Sequence, residues 1–385
     1  MEIKRSQKIA ELKAAFRYSP AVAILGPRQC GKTTLSHQFV SDIKGESVHF
    51  FDLEDPNDLA ALDNPKLTLE KLKGIIVIDE IQRCPDLFPV LRVLIDKCKE
   101  QKYLILGSAS KELLRQSSET LAGRISYHEL SGFSLDEISI LEQNKIWIRG
   151  GFPRSFLAHD YKASYDWRQN FIMTFLERDI PNLGFHISAK GLRRFWMMLA
   201  HYHGNIFNAS EISKSLAISN VTAGRYLDIL SGAFLIRQLQ PWFYNTKKRL
   251  IKRPKIYFRD SGIFHALLGI TTIDELNRHP RLGSSWEGFV IEQIINHLGL
   301  KEEEVYFWGV HTGAECDFIF LKKGKLWGVE VKYQDAPHLT PSMRSAIDEL
   351  SLEHLWIVYP GNRMYTLADK ITVLPISNCS TICPE

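Results

Sequence analysis

Gly26, Gly31, Lys32 and Thr33 stand at the spacing GxxxxGK[ST] within Ala21–Leu35, AVAILGPRQCGKTTL. A short apolar run precedes the loop and an amphipathic run follows it, so the stretch reads as strand, phosphate loop and helix. Such a loop turns its backbone N–H groups inward at a helix N-terminus, where they favour the phosphates of a nucleotide. The expected cradle is Gly26, Pro27, Arg28, Gln29, Cys30, Gly31, Lys32, Thr33 and Thr34. Lys32 would reach the β- and γ-phosphates and Thr33 would ligate Mg²⁺, which implies ATP and Mg²⁺ as cofactors. About fifty residues later, Gly74–Gln82 (GIIVIDEIQ) places four aliphatics before Asp79 and Glu80. That pattern describes a strand buried on both faces with carboxylates at its C-terminal end, where ligands bind in open α/β sheets. Asp79 would hold Mg²⁺ and Glu80 would deprotonate the attacking water.

Two further residues could serve the same chemistry. Ser108, after the apolar run Tyr103–Leu106, is placed as a polar sensor or as the N-cap of a helix starting near Lys111. Arg124 follows a helix and precedes a strand; it could stabilise transition-state charge across a subunit interface, implying a homo-oligomer, or form a structural ion pair. The phosphate loop, VIDEIQ, GSAS (Gly107–Ser110), LAGR (Leu121–Arg124) and GGFP (Gly150–Pro153) together resemble the uncharacterised prokaryotic AAA-like ATPases. In these, a P-loop domain is joined to a C-terminal region of unknown function. Leu106 departs from that pattern, which often carries Thr before the Gly-Ser, and this weakens the resemblance at Ser108.

A second constellation lies near the other end. Asp317 in GAECDFIFL faces LWGVEVKYQ across a turn at Lys323-Gly324, and Glu330 and Lys332 are two apart on the second strand, hence on one face. This Asp…Glu-x-Lys set resembles the PD-(D/E)XK nuclease superfamily. The resemblance implies that two carboxylates bind Mg²⁺, that the lysine positions water, and that a helix glutamate, Glu287, completes the shell. A surface hairpin with an ion pair is the plain alternative.

Between them runs a basic stretch. Residues 151–284 carry 19 Lys+Arg against 9 Asp+Glu, whereas 285–385 carry 8 against 14. Asn208–Leu239 divides into a helix (Ala209–Leu216), a turn, a helix (Asn220–Leu230) and an alternating strand, the outline of a winged helix-turn-helix. Asn220, Thr222, Ala223 and Arg225 would face a major groove of double-stranded DNA. No carboxylate occurs between Asp228 and Asp260, while Lys247, Lys248, Arg249, Lys252 and Arg253 are interspersed with aromatics, suiting phosphate contact and stacking. The same basic face could instead dock the acidic final third.

The elements that must position these groups follow from periodicity. At 385 residues the chain exceeds one domain. The reading is an α/β protein of three parts: an AAA-like P-loop NTPase domain with a parallel sheet (1–150), a helical and winged-helix middle domain (151–284), and a restriction-endonuclease-like α/β domain (285–385). The Gly150–Pro153 break marks the first boundary. Helical spacing runs through Tyr165–Ile180 and Leu192–Tyr202, and Asp260 should cap the helix Ser261–Leu268. No apolar run reaches membrane-spanning length, and MEIKRSQKIAELKAAF reads as an amphipathic helix without a signal peptide's apolar centre. A cytoplasmic protein without a membrane partner is expected, with six scattered reduced cysteines. The function expected is ATP hydrolysis that switches DNA engagement; a nucleotide-gated protein scaffold and an ATP-controlled nuclease are the alternatives.

Overall fold

In the computed structural model, residues 2–43, 45–108, 121–185, 187–243, 251–310 and 313–382 are described. The helix expected near Lys111 and the basic residues Lys247, Lys248 and Arg249 lie outside them. Strands β1 (Ala21–Leu25), β2 (Val48–Asp52), β3 (Gly74–Asp79), β4 (Gln101–Gly107) and β5 (Ile125–Glu129) form a sheet in the order β2-β3-β4-β1-β5. Every pairing is parallel. Parallel strands are covered on both faces and need no polar alternation. Accordingly Val22, Ile24, Ile75, Val77 and Leu104 enter one core, and Ala21, Ala23, Ile76, Ile78 and Ile105 the other. Because the strands run one way, the turns after β1, β3 and β4 emerge along one edge. That edge carries the phosphate loop, Asp79-Glu80 and Ser108.

Strands β6 (Asn205–Ile206), β7 (Ile236–Pro241), β8 (Lys255–Phe258), β9 (Val305–Gly309), β10 (Glu315–Lys322), β11 (Lys325–Val331), β12 (Leu355–Tyr359), β13 (Tyr365–Ala368) and β14 (Ile371–Pro375) form one nine-stranded sheet. Its order is β13-β14-β12-β11-β10-β9-β7-β8-β6. Parallel pairing of β7 with β9, Gln240 opposite Tyr306 and Pro241 opposite Phe307, joins the basic middle to the acidic end. The expected division at 284–285 therefore falls inside a helix, Leu282–Leu298, whose Trp286, Val290 and Ile294 pack in the same core as Phe318 and Val329 of this sheet.

The middle helices pack onto the first sheet rather than standing apart. Phe171, Phe175, Trp196 and Leu227 share a core with Val22 and Ile24. Helical spacing over Tyr165–Ile180 resolves into an α-helix (Tyr161–Thr174), a π-helical turn (Phe175–Asp179) and a short helix, Ile180–Asn182, with Pro181 in its first turn. The helix-turn-helix is Ala209–Leu216 and Asn220–Gly232, with Ala217 left-handed (φ 54°) and Ser219 accepting from the Thr222 N–H at 3.0 Å.

The break at Gly150–Pro153 is a packed junction. Asp260 Oδ1 caps its helix by accepting from Ile263 N (2.8 Å), and Oδ2 accepts from Gly151 N (2.7 Å). A Cβ on Gly150, whose φ is 77°, would lie 2.2 Å from Asp260 Oδ1, so only glycine fits there.

Candidate functional site

The loop after β1 is built by two left-handed residues, Gln29 (φ 63°) and Gly31 (φ 99°), the second leading directly into the helix Lys32–Ser41. Lys32 is buried, its ammonium donating to Gly26 O, Pro27 O and Ser108 Oγ, each at 3.0 Å. Thr33 Oγ1 donates to Asp79 Oδ2 at 2.6 Å. Burial raises the Asp79 carboxyl above its ordinary range, and the Thr33 hydrogen bond works against that rise. A hydroxyl beside a buried carboxylate at the edge of a phosphate loop is a donor set that suits a divalent cation completed by phosphate oxygens and water.

Glu80 has φ 55°, a left-handed conformation that costs a non-glycine residue about 1–3 kcal/mol and is characteristic of functional sites. The strain turns its carboxylate to accept from Ser108 Oγ (3.2 and 3.3 Å) and from the Gln82 amide. Lys32, Ser108 and Glu80 thus form one chain of contacts beside the Thr33–Asp79 pair. Cys30 is fully buried and burial pushes its thiol up, so it is a loop-packing group rather than a nucleophile.

The cleft in front of the loop measures about 630 Å³ and is lined by Gly31, Lys32, Thr33, Thr34 and Glu80, with Arg154, Arg178 and Asp179 from the middle region opposite. Pockets of this size hold drug-sized ligands. The sequence reading missed those three opposite residues. Arg28, expected only as a cradle residue, donates to Asp179 Oδ1 at 2.5 Å and to Glu54, and Arg178 lies 3.6 Å from Glu54. Arg5 was also missed. It is buried, pairs with both Glu137 oxygens (2.5 and 2.8 Å) and donates to Cys30 O, Ser131 O and Gly132 O, tying the N-terminal segment to the back of the loop.

Arg124 is not near this cleft. It sits at the start of β5, accepting through its carbonyl from Ala21 N at the opposite end of the sheet, and its guanidinium grips both oxygens of Asp96 (2.7 and 2.9 Å). The structural ion pair, and not a phosphate contact within the chain, describes its position.

The candidate nucleic-acid residues divide. Asn220, Arg225, Lys252 and Arg253 are exposed and Thr222 is half-buried. Asn220 Oδ1 accepts from Ser213 Oγ (2.5 Å) and Thr222 Oγ1 bonds Ser219 Oγ (2.8 Å), so both also hold the turn together. Two basic residues of the stretch are already paired within the chain: Arg237 with both oxygens of the buried Glu292, and Arg259 with Glu129.

The Asp…Glu-x-Lys set does come together. Asp317 Oδ2 accepts from Val331 N (2.9 Å), and Lys332 Nζ lies 3.0 Å from Glu330 and 3.7 Å from Asp317. Glu287 accepts from the Tyr257 hydroxyl at 2.5 Å. Unforeseen by the sequence, the β8 residue Lys255 inserts its ammonium among Glu315 (3.6 Å), Glu287 (3.9 Å) and Asp317 (3.9 Å). Among the described residues no group of three or more His, Cys, Asp or Glu side chains is arranged to hold a metal ion. Two of the residues expected to bind Mg²⁺ here, Glu287 and Asp317, face the Lys255 ammonium.

Residues 18–139 match an AAA domain, and residues 141–274 and 282–379 match two domains of unknown function, DUF8612 and DUF4143. An uncharacterized protein of Mycobacterium tuberculosis is 45% identical over 382 residues, covering 99% of this chain and 86% of that protein. One of Mycobacterium bovis matches equally. An uncharacterized protein of Haemophilus influenzae is 24% identical over 342 residues, covering 81% of this chain and 82% of its own length. Among solved structures, the Walker-type ATPase of Pyrococcus abyssi is similar in fold with a TM-score of 0.50 at 15% identity, covering 69% of this chain and 96% of that one. Among the described residues no helix is long and apolar enough to cross a membrane.

Proposed function

This chain belongs to the family of the two mycobacterial proteins, built as an AAA domain followed by two domains of unknown function, and on that premise we propose that it is a Mg²⁺-dependent ATPase whose nucleotide state sets how its helix-turn-helix region engages double-stranded DNA. The observation that carries the ATPase reading is the meeting of Thr33 with Asp79 and of Lys32 with Ser108 and Glu80 at the edge of the 630 Å³ cleft, which Lys32, Thr33 and Glu80 line. Loop N–H groups and the Lys32 ammonium would bind the phosphates, and Thr33 and Asp79 would hold Mg²⁺. Bound there, the ion supplies charge neutralisation at the terminal phosphates. Glu80 would take the proton of the attacking water, and Ser108 would orient that carboxylate.

Asp179 and Arg178 form the route to the rest of the chain. They lie on the π-helical turn, whose Phe175 packs in the core shared with the helix-turn-helix. A phosphate drawing on Arg28 or Arg178 would change the contacts of that turn. Exposed Arg225, Lys252 and Arg253 would then meet DNA phosphates.

The scaffold reading keeps one observation in its favour: Arg237 and Lys255 already bind carboxylates of the final third, so part of the basic excess serves docking within the chain. The test of the ATPase reading is Glu80→Gln. The expected result is retained nucleotide binding with hydrolysis lowered by about 10²–10⁴-fold; hydrolysis at the wild-type rate would remove Glu80 from the mechanism.

A further inference from the structure

We propose that Lys255 supplies the positive charge at Glu287 and Asp317 that a metal ion would supply in the nuclease arrangement, so that the C-terminal region is a metal-free counterpart of it and neither binds Mg²⁺ there nor cuts nucleic acid.

The Lys255 side chain is 6% exposed and is delivered by β8, a strand of the middle region, to carboxylates on the helix Leu282–Leu298 and on β10. Its nitrogen lies 3.6–3.9 Å from an oxygen of Glu315, Glu287 and Asp317. A divalent cation bound by the same oxygens would need them at about 2.0–2.6 Å, and it would share their charge with the ammonium that already faces them. The ammonium also lies 5.4 Å from the centre of the Phe307 ring, which walls it in.

Charge tells the same story. Asp317 and Glu330 are buried, and burying carboxylates without counter-charge is costly. Here Lys255 and Lys332 both face Asp317. Lys332 also lies 3.0 Å from Glu330, so two lysines serve the cluster.

The consequence is architectural. Lys255 bridges two regions that sequence alone divides, and it does so three residues after the exposed Lys252 and two after Arg253. The constellation is an ionic clasp between the helix-turn-helix region and the C-terminal sheet.

The experiment is a Mn²⁺ titration followed by electron paramagnetic resonance, on the full chain without nucleotide and in a Thr33→Ala background so that the phosphate loop contributes no site. The proposal expects the wild-type cluster to bind no Mn²⁺, the isotherm being unchanged by Asp317→Asn. Lys255→Met should melt at lower temperature, gain one Mn²⁺ site that Asp317→Asn abolishes, and recover melting temperature on adding Mn²⁺. Lys255→Arg should behave as wild type. A Mn²⁺ site in the unsubstituted cluster that Asp317→Asn removes would overturn the proposal, as would Mn²⁺-dependent cutting of duplex DNA lost in Glu330→Gln. These two readings stand even where Lys255→Met fails to fold.

Discussion

Replacing Asp260 by Ala should unsettle both the junction and the nucleotide cleft. Its two oxygens satisfy two backbone N–H groups, Ile263 at 2.8 Å and Gly151 at 2.7 Å. A buried donor left without a partner costs about 1–3 kcal/mol, so two orphaned donors set a range of about 2–6 kcal/mol. The carboxylate's own burial, which raises its pKa, is relieved in the variant, so the lower part of that range applies, about 2–4 kcal/mol. At about 2 °C per kcal/mol for a chain of this size, the thermal midpoint should fall by roughly 4–8 °C. Gly151 leads into Pro153, whose ring lies 3.7 Å from the position of a Cβ on Gly31 in the phosphate loop. ATP affinity should therefore weaken several-fold as well. The assay is differential scanning fluorimetry with and without ATP. A midpoint within a degree of wild type would refute the claim that Asp260 clasps the junction, and a lowered midpoint with undiminished ATP stabilisation would refute the coupling to the loop.

Acid should unfold the protein earlier than its carboxylates alone predict. His203 accepts from Phe258 N (3.0 Å) and His265 bonds Ser285 and the Ile148 carbonyl, and burial pushes both imidazoles down to about 3. Unfolded histidines protonate near pH 6.5, so the unfolded chain gains protons that the folded one refuses, and stability present above that pH is lost as pH falls; at pH 5 each costs about 2 kcal/mol. Urea midpoints at pH 7 and pH 5 measure this: His203→Gln should lose less stability across that interval than wild type, and an equal loss would contradict it. On the nucleic-acid side, Arg225→Ala with Arg253→Ala should reduce duplex affinity and flatten its dependence on log salt by about 2. Equal slopes for variant and wild type would take these arginines off the interface.

What the sequence discloses depends on how local its causes are. The phosphate loop, the aliphatic β3 and the Asp260 cap are set by neighbours within a few residues, and each is found where spacing puts it. Arg28 and Asp179 are 151 residues apart, and neither residue type signals the other. The π-helical turn that brings Asp179 to the loop preserves the apolar spacing of an ordinary helix, so periodicity misses it. Lys255 is one of a run of basic residues and reads as a solvated charge; only the pairing of β8 with β7, and of β7 with β9, turns it inward to Asp317. Arg124 shows the converse, a motif residue whose partner, Asp96, lies on a neighbouring helix that the motif does not mention.

Steady-state ATP hydrolysis with Mg²⁺, measured with and without duplex DNA and with Lys32→Ala as the blank, tests the account most directly. The account predicts turnover above the blank that duplex DNA stimulates. Turnover equal to the blank, or turnover indifferent to DNA, would contradict it.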